Sequence, residues 1–212
     1  MILCVKDKNY LSIFEKHLIR TMLEEDKVIA FPSDTVYGLG VNSFSSNAVH
    51  KLYAMKGRNE KKPLVLLTND TQKIEDYLLD KSQLQHPALK KFWPGALTCV
   101  FDMVKESPLY FSKEYSATLG IRIPNHSLLL DLLAFLPFPL VTTSANLSQQ
   151  PPLQTAEEIE QTFNQKGSDQ SLACVIDMGR IEGTASTVIQ IIDSSVVVLR
   201  KGPIDIEYAT IL

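Results

Sequence analysis

The chain has 212 residues, of which 45% are apolar and 21% are charged. This composition is typical of a folded globular protein and excludes the disordered and fibrous classes. The 24 acidic residues outnumber the 21 basic residues, so the formal net charge is −3. That balance excludes a uniformly basic protein that coats nucleic acid, but it is compatible with a local basic patch.

Cysteine and histidine give no sign of a disulfide framework or of a metal site. The three cysteines, Cys4, Cys99 and Cys174, lie far apart and form no CxxC pair, as is typical of a reducing compartment. The four histidines include no HExxH motif. The N-terminus lacks the pattern of a signal peptide, and the most apolar window, 128–141, is too short to span a bilayer. The sequence therefore predicts a soluble, cytoplasmic protein.

Helical and strand patterns alternate along the first half of the chain. Apolar residues at Leu11, Phe14, Leu18 and Met22 recur at spacings of three and four, which predicts an amphipathic helix. The elements predicted next are a strand at 28–31, a helix from Ser46 that buries Val49, Leu52 and Tyr53, and strands at 63–67, 97–103 and 118–123.

The second half continues this alternation. Thr155 and Glu158 form a capping box, so we expect a helix that starts there, runs towards Lys166 and ends at Gly167. The other predicted elements are a helix at 128–136 and strands at 140–143, 173–176, 187–192 and 196–199. This order predicts one α/β domain over residues 1–212, with helices that flank a twisted mixed sheet.

Two short patterns are candidate phosphate sites. Gly38-Leu39-Gly40 begins like a dinucleotide-binding loop, but the third glycine would fall at Ser43, so the two glycines predict a turn after a strand. The segment 51–62 holds five basic residues and one acid. Such a run is either a solvated face or, because it lies between a helix end and a buried strand, a site for a polyphosphate.

Polar side chains also collect at strand ends. Strand alternation places Thr118, Gly120 and Arg122 on the face opposite to the apolar residues of the same strand. That face suits a carboxylate or another anion, and it equally fits the solvated side of an edge strand. Similarly, the polar runs at 142–146 and 32–35 fit either a pocket wall or ordinary loop and cap residues.

A serine hydrolase is a weaker interpretation. Ser33, Ser144 and Ser186 are candidate nucleophiles, but none of them lies in a GxSxG motif. No histidine stands at a known spacing from any of them, although the partners of a triad meet only in space.

Taken together, seven short motifs resemble the YrdC family, the threonylcarbamoyl-AMP synthases of tRNA modification. They follow the order of that family from about residue 10 to residue 203, so the resemblance covers nearly the whole chain. The motifs are FPSDTVYGLG at 31–40, KGR at 56–58 with KPL at 62–64, WPGALT at 93–98, GIRIP at 120–124, TSANLS at 143–148, STVI at 186–189 and LRKG at 199–202.

The resemblance implies a twisted α/β fold with a concave, positively charged cavity. It also implies an enzyme, a nucleotidyltransferase, that converts L-threonine, bicarbonate and ATP into threonylcarbamoyl-AMP and pyrophosphate for the t6A37 modification of tRNA. A tRNA-modifying threonylcarbamoyl transferase complex would act downstream. The resemblance allows contact with tRNA, and we expect no membrane association.

Functional residues follow from the motifs that match. The implied catalytic residues are Lys56, Arg58, Ser144 and Asn146. The implied ATP contacts are Arg58, Lys62, Thr118, Ser144 and Arg200, and the implied threonine contacts are Thr35, Arg122, Thr142 and Ser186. No protein ligand to a metal is implied, and Mg²⁺ is expected to arrive with the ATP.

The sequence departs from the family pattern at several of these motifs. Leu67 stands where some relatives carry a histidine near the threonine. Gln149 replaces a glycine, and Pro152 occupies the position of another expected ATP contact, which leaves the geometry of that loop open. The match is to the short, single-domain form. The alternative is an RNA-binding module of the same fold that uses the basic cavity, although the basic segment holds only one aromatic residue, Tyr53.

Overall fold

The computed structural model describes residues 1–5, 9–59, 63–104, 107, 109, 118–164 and 172–206. Ten strands in these residues form one sheet. They are β1 (Ile2–Cys4), β2 (Ile29–Phe31), β3 (Gly38–Asn42), β4 (Val65–Leu67), β5 (Leu97–Asp102), β6 (Thr118–Arg122), β7 (Leu140–Ser144), β8 (Cys174–Asp177), β9 (Thr187–Ile192) and β10 (Ser195–Arg200). The helices are α1 (Ile13–Glu24), α2 (Ser46–Lys56), α3 (Pro87–Phe92), α4 (Ser127–Phe135) and α5 (Ala156–Phe163), and 3-10 turns occur at Thr71–Lys73, Glu75–Tyr77 and Lys81–Gln85.

The sheet is mixed, with the strand order β1-β8-β2-β3-β7-β4-β6-β5-β9-β10. Strands β1, β8 and β2 run parallel to one another, whereas β3 is antiparallel to both β2 and β7. Strand β4 is antiparallel to β7 and parallel to β6. Strand β5 is antiparallel to β6 and parallel to β9, and β9 and β10 form an antiparallel hairpin. The predicted α/β class with a mixed sheet is therefore confirmed.

Helices cover the two faces of the sheet unequally. One core cluster joins the buried residues of α2, α3 and α5 to one face, which includes Leu66, Ile121 and Val141. The other cluster joins α1 and α4 to residues of the opposite face, including Ile29 and Leu67. Because successive side chains of a strand alternate between faces, the residues beside Leu66 and Ile121 point away from the first cluster. This alternation places the site described below on the face that α1 and α4 cover in part.

Most predicted elements are confirmed, but the prediction of which residues of α1 are buried is wrong. Phe14 is 73% exposed, whereas Ile19 and Leu23 are completely buried. Ser12 caps the helix in a capping box with Glu15, so Leu11 precedes the first turn. The helix carries two overlapping apolar stripes, and the spacing alone does not decide which of them meets the sheet.

Two further predictions need correction. Gly38 and Gly40 form part of strand β3 and not a turn. A Cβ atom at these positions would lie 2.8 and 2.6 Å from the ring of Phe31, so only glycine lets that ring pack flat on β3. The helix that begins after Thr155 has the predicted capping box, but it ends at Phe163. The predicted end at Lys166 and Gly167 lies outside the described residues.

In the described part of the chain, no helix combines the length and the apolar character that a membrane span requires.

Candidate functional site

A cavity of about 160 Å³ lies on the sheet face opposite to α2, α3 and α5. Its floor is formed by side chains of β4, β6 and β7, including Val65, Arg122 and Thr142. The sheet register places Val65 between Thr142 and Gly120. Gly120 has no side chain to fill the floor, and an added Cβ atom would lie 3.3 Å from the methyl group of Thr98. The register thus brings hydroxyl, apolar and guanidinium groups to one concave surface.

Arg122 is held rigidly at the end of β6. Its Nε donates to the Gly95 carbonyl at 2.9 Å, one terminal nitrogen donates to Thr35 Oγ1 at 2.8 Å, and the other donates to Asp34 Oδ1 at 2.5 Å. The side chains of Arg122 and Asp34 are only 8% and 14% exposed. A guanidinium carries five N–H hydrogens, so two remain to bind an anion in the cavity.

Lys56 lies beneath the cavity and is not among the residues that line it. Its side chain is buried, and Nζ donates to the Ser144 carbonyl and, at 2.9 Å, to Asn146 Oδ1. Burial, with a smaller contribution from the charge of Arg58, lowers the pKa of Lys56 to about 7. Because Ser144 Oγ also donates to Asn146 Oδ1 at 2.6 Å, these three side chains form one network under the strand end.

Asn146 also fixes the loop that follows β7. Its Nδ2 donates to the carbonyls of Leu147 and Gln150 at 2.9 and 2.6 Å. The amide of Ser148 donates to the Lys56 carbonyl at 3.0 Å, which ties the loop to the end of α2. Gln149 adopts a φ of 70°, the left-handed conformation that favours glycine. The sequence left the geometry of this loop open. In the structure, Gln149 adopts the left-handed backbone conformation that is typical of glycine.

Two more arginines line the cavity beside Arg122. Arg200 donates to the Ser186 carbonyl at 2.8 Å and to Ser186 Oγ at 3.3 Å, and Ser186 Oγ lies 2.8 Å from Thr98 Oγ1. Burial and the charges of Arg122 and Arg58 lower the pKa of Arg200. Within the described residues, the buried Nε of Arg58 has no hydrogen-bond partner. An anionic ligand would relieve the mutual repulsion of these cations and supply a partner for Arg58.

Glycines bring two further segments against the site. A Cβ atom at Gly183 would lie 1.7 Å from the Thr35 carbonyl oxygen, and one at Gly202 would lie 2.4 Å from the Thr187 amide nitrogen. No side chain fits in either gap. These contacts hold Ser186 and Arg200 at the rim of the cavity.

The structure brings most of the predicted site residues together. Those that line the cavity are Thr35, Arg58, Arg122, Thr142, Ser144, Ser186 and Arg200. Lys56 and Asn146 lie just beneath them, Thr118 is half-buried at the start of β6 outside the cavity lining, and Lys62 lies outside the described residues. Sequence reasoning missed Asp34, Gly95 and Thr98, although all three fall within the quoted motifs. In the described part of the chain, no group of three or more His, Cys, Asp and Glu could hold a metal ion.

Comparison with known proteins decides the family. A family model for Sua5, YciO and YrdC, described as "Telomere recombination", matches residues 21–202. The chain belongs to the Sua5/YciO/YrdC family. The resemblance that the motifs indicate is thereby confirmed.

Two curated relatives of this Sua5/YciO/YrdC protein carry the same name. The threonylcarbamoyl-AMP synthase of Bacillus subtilis (strain 168) is 36% identical over 187 residues, which are 86% of this chain and 52% of the relative. That of Photorhabdus laumondii is 37% identical over 150 residues, 70% of this chain and 79% of the relative. The chain thus spans about half the length of the Bacillus relative and most of the Photorhabdus relative.

Solved structures of the family share the fold. The Pyrococcus abyssi Sua5 structure, in complex with L-threonine, has a TM-score of 0.84 at 28% identity and matches 98% of this chain and 59% of that one. The Escherichia coli YciO structure has a TM-score of 0.83, with 99% of this chain and 100% of that chain matched. At 23% identity, the YciO likeness shows the fold alone.

Proposed function

We propose that the chain is a threonylcarbamoyl-AMP synthase, a nucleotidyltransferase that makes threonylcarbamoyl-AMP and pyrophosphate from L-threonine, bicarbonate and ATP. The observation that carries the proposal is the clustering of Arg58, Arg122 and Arg200 around one cavity. Such a cavity suits substrates that bring several negative charges together. The names of the relatives and the threonine bound to Pyrococcus abyssi Sua5 support the same function.

In this proposal Arg122 binds the threonine carboxylate. Its two remaining N–H groups are the donors for that carboxylate, while its other bonds hold the guanidinium still. Thr142 Oγ1 donates its proton to the Val65 carbonyl at 3.0 Å, so its lone pairs are left to accept from the ligand. Thr35 and Ser186 supply further hydroxyl groups to the lining of the cavity.

The ATP phosphates would lie near Arg58, Arg200 and Ser144, with Lys62 and Thr118 as further proposed contacts. Lys56 and Asn146 bond to the main chain and to the side chain of Ser144, so their proposed role is to position that residue. The arginine charges would stabilise the negative charge that develops on the phosphates and on the departing pyrophosphate.

The chemistry needs no protein nucleophile. The threonine amine combines with bicarbonate, with loss of water, to give an N-carboxylate. An oxygen of this carboxylate then forms a bond to the α-phosphorus of ATP, and the bond from that phosphorus to the pyrophosphate oxygen breaks. Two anions must approach each other in this step, and the three arginines offset their repulsion.

Mg²⁺ is proposed to enter on the ATP phosphates, whose charge it would help to neutralise. The described lining of the cavity offers hydroxyl and guanidinium groups and no carboxylate, so it is not suited to hold the cation by itself. None of the roles assigned to residues above depends on the metal.

The product is a mixed anhydride that water would hydrolyse, so a tRNA-modifying threonylcarbamoyl transferase complex is proposed to consume it. A cytoplasmic location, a single functional domain and the tRNA t6A37 pathway belong to the same proposal. The names of the relatives favour the enzyme over the RNA-binding module, and no feature of the described residues favours the latter.

The test is pyrophosphate release from ATP with bicarbonate and each of the twenty amino acids in turn, with omission of each component as control. Release that requires both threonine and bicarbonate would support the synthase. Release without bicarbonate would indicate a different adenylation reaction. No release, together with no threonine-dependent or ATP-dependent rise in Tm, would contradict the proposal.

A further inference from the structure

The part of the cavity floor that β4 forms, together with the adjoining Phe31, is apolar and is named the apolar wall. Phe31, Val65 and Leu67 line it, although the rest of the lining is rich in hydroxyl groups and arginines. Leu67 is the partner of Arg122 in the parallel pairing of β4 with β6, so their side chains leave the same face of the sheet side by side. A ligand whose carboxylate is bound at Arg122 therefore places the carbon atoms next to that carboxylate near Leu67.

Leu67 is held in place by its neighbours. It is 5% exposed and packs in the core cluster that α1 and α4 form with the sheet. On its other side it pairs with Leu140, which is completely buried in the same cluster. A close-packed side chain of this kind does not move aside, so the wall is formed before any ligand binds.

A hydrogen-bond acceptor lies next to this wall. Thr142 is the partner of Val65 in the antiparallel pairing of β7 with β4, and Val65 and Leu67 lie on the same face of β4. The hydroxyl proton of Thr142 is donated to the Val65 carbonyl, so its oxygen can only accept from a ligand. The apolar wall and the Thr142 oxygen together fit a side chain that carries one hydroxyl and one methyl group on the same carbon.

We propose that Leu67 is a specificity-determining residue, which selects L-threonine over L-serine through contact with the threonine methyl group. This inference rests on the proposed synthase function and names the basis of its amino-acid selectivity. Serine keeps the hydroxyl group that would donate a hydrogen bond to Thr142, but it has no methyl group to cover the apolar wall. A missing methyl group in an apolar pocket lowers kcat/KM by about tenfold or more.

The experiment measures kcat/KM for pyrophosphate release with L-threonine, L-serine and L-2-aminobutyrate. In the wild-type protein, threonine should exceed serine by about tenfold. It should also exceed L-2-aminobutyrate, which has the methyl group and lacks the hydroxyl. In the variants Leu67→Ala and Leu67→Asn the threonine-to-serine ratio should fall by at least about threefold. Leu23→Ala is the matched control, because Leu23 is a completely buried leucine of the same cluster that neither lines the cavity nor pairs with Leu67, and its ratio should stay unchanged.

The outcomes separate this inference from the proposed function. Wild-type protein that neither binds nor turns over threonine would overturn the proposed function itself. Threonine turnover with an unchanged ratio in Leu67→Ala and Leu67→Asn would overturn the role of Leu67 alone. If circular dichroism shows that the variants do not fold, the wild-type series decides. Equal kcat/KM for serine and threonine in that series would overturn the inference.

Discussion

Arg122 donates a hydrogen bond to Asp34 over 2.5 Å, and both side chains are almost completely buried beside the cavity. The two residues lie 88 positions apart in the chain. Asp34 precedes Thr35, which also binds Arg122, so the turn after β2 holds the guanidinium from two sides. We therefore treat Asp34 as a positioning residue for the proposed threonine site, because it acts through Arg122.

Replacement of Asp34 tests this role. Asp34→Ala should raise the KM for threonine by about tenfold or more, because a hydrogen bond to a charged group is lost and the guanidinium becomes free to turn. Asp34→Asn keeps an oxygen acceptor, so its KM should stay nearer to the wild-type value. The affinity for ATP should change little in either variant.

A matched control is Asp131→Ala. This change breaks a half-buried ion pair between Asp131 and Lys16, which contributes nothing to the cavity lining. It should lower Tm without any change in the KM for threonine. An unchanged threonine KM in Asp34→Ala would contradict the positioning role.

The buried ammonium of Lys56 predicts a dependence of stability on pH. Its pKa is lowered to about 7 in the folded protein, whereas a lysine in the unfolded chain titrates near its ordinary value of 10.5. Between these two values the unfolded chain binds more protons than the folded one, so the contribution of Lys56 to stability increases as pH rises. At pH values below 7, both states hold the proton and the full penalty of burying the charge is present.

The measurement is urea unfolding of the wild-type protein and of Lys56→Met from pH 6 to pH 9. The difference in free energy of unfolding, wild type minus variant, should rise by up to about 1.4 kcal/mol per pH unit above pH 7. Other titrating groups are common to both proteins and cancel in the difference. A difference that is constant with pH would show that the Lys56 pKa is not lowered.

Arg58 is proposed to bind the phosphates directly. Arg58→Ala should lower turnover by about two to three orders of magnitude, because its charge stabilises the phosphates most strongly as pyrophosphate leaves. Arg20→Ala is a suitable control, since Arg20 lies on α1 and pairs with Glu24 at the surface. Steady-state kinetics at saturating ATP checks the prediction, and turnover of Arg58→Ala near that of the control would refute it.

The backbone conformation of Gln149 predicts that glycine at this position stabilises the protein. Its φ of 70° is strained for a residue with a side chain. Gln149→Gly should therefore raise the free energy of unfolding by about 0.5–1 kcal/mol, as measured by urea unfolding. Gln150→Gly is the matched control, because Gln150 is not among the positions with positive φ, and it should lower stability. A loss of stability in Gln149→Gly would show that this loop is not strained.

Local patterns account for what the sequence predicts well. Helix α2 and strand β6 follow from the spacing of their own apolar residues, and both are confirmed. The face of α1 was wrong because two apolar stripes overlap within the helix, and only the packing of Ile19 and Leu23 on the sheet decides between them. The bounds of α5 show the same limit, since Asn164 ends the helix before the predicted glycine.

The site depends on contacts that no local spacing reveals. Lys56 and Asn146 lie 90 positions apart, and their hydrogen bond explains why a basic residue of the helix end is buried under the strand end. Strand alternation and the polar run at 142–146 indicate Arg122 and Ser144 as candidates, whereas Arg200 is indicated only by the set of family motifs. Asp34 and the Gly95 carbonyl both accept hydrogen bonds from Arg122, and only the folded structure shows that these distant segments meet.

The most direct test of the proposed activity follows the carbon of bicarbonate into the product. The protein is incubated with ATP, L-threonine and ¹³C-bicarbonate, and the mixture is analysed at once by mass spectrometry. The proposed reaction should give a species with the mass of threonylcarbamoyl-AMP that is heavier by about one mass unit than the product of unlabelled bicarbonate. This species should be absent when threonine or the protein is omitted. Pyrophosphate release with no labelled adenylate, or an adenylate that carries no bicarbonate carbon, would contradict it.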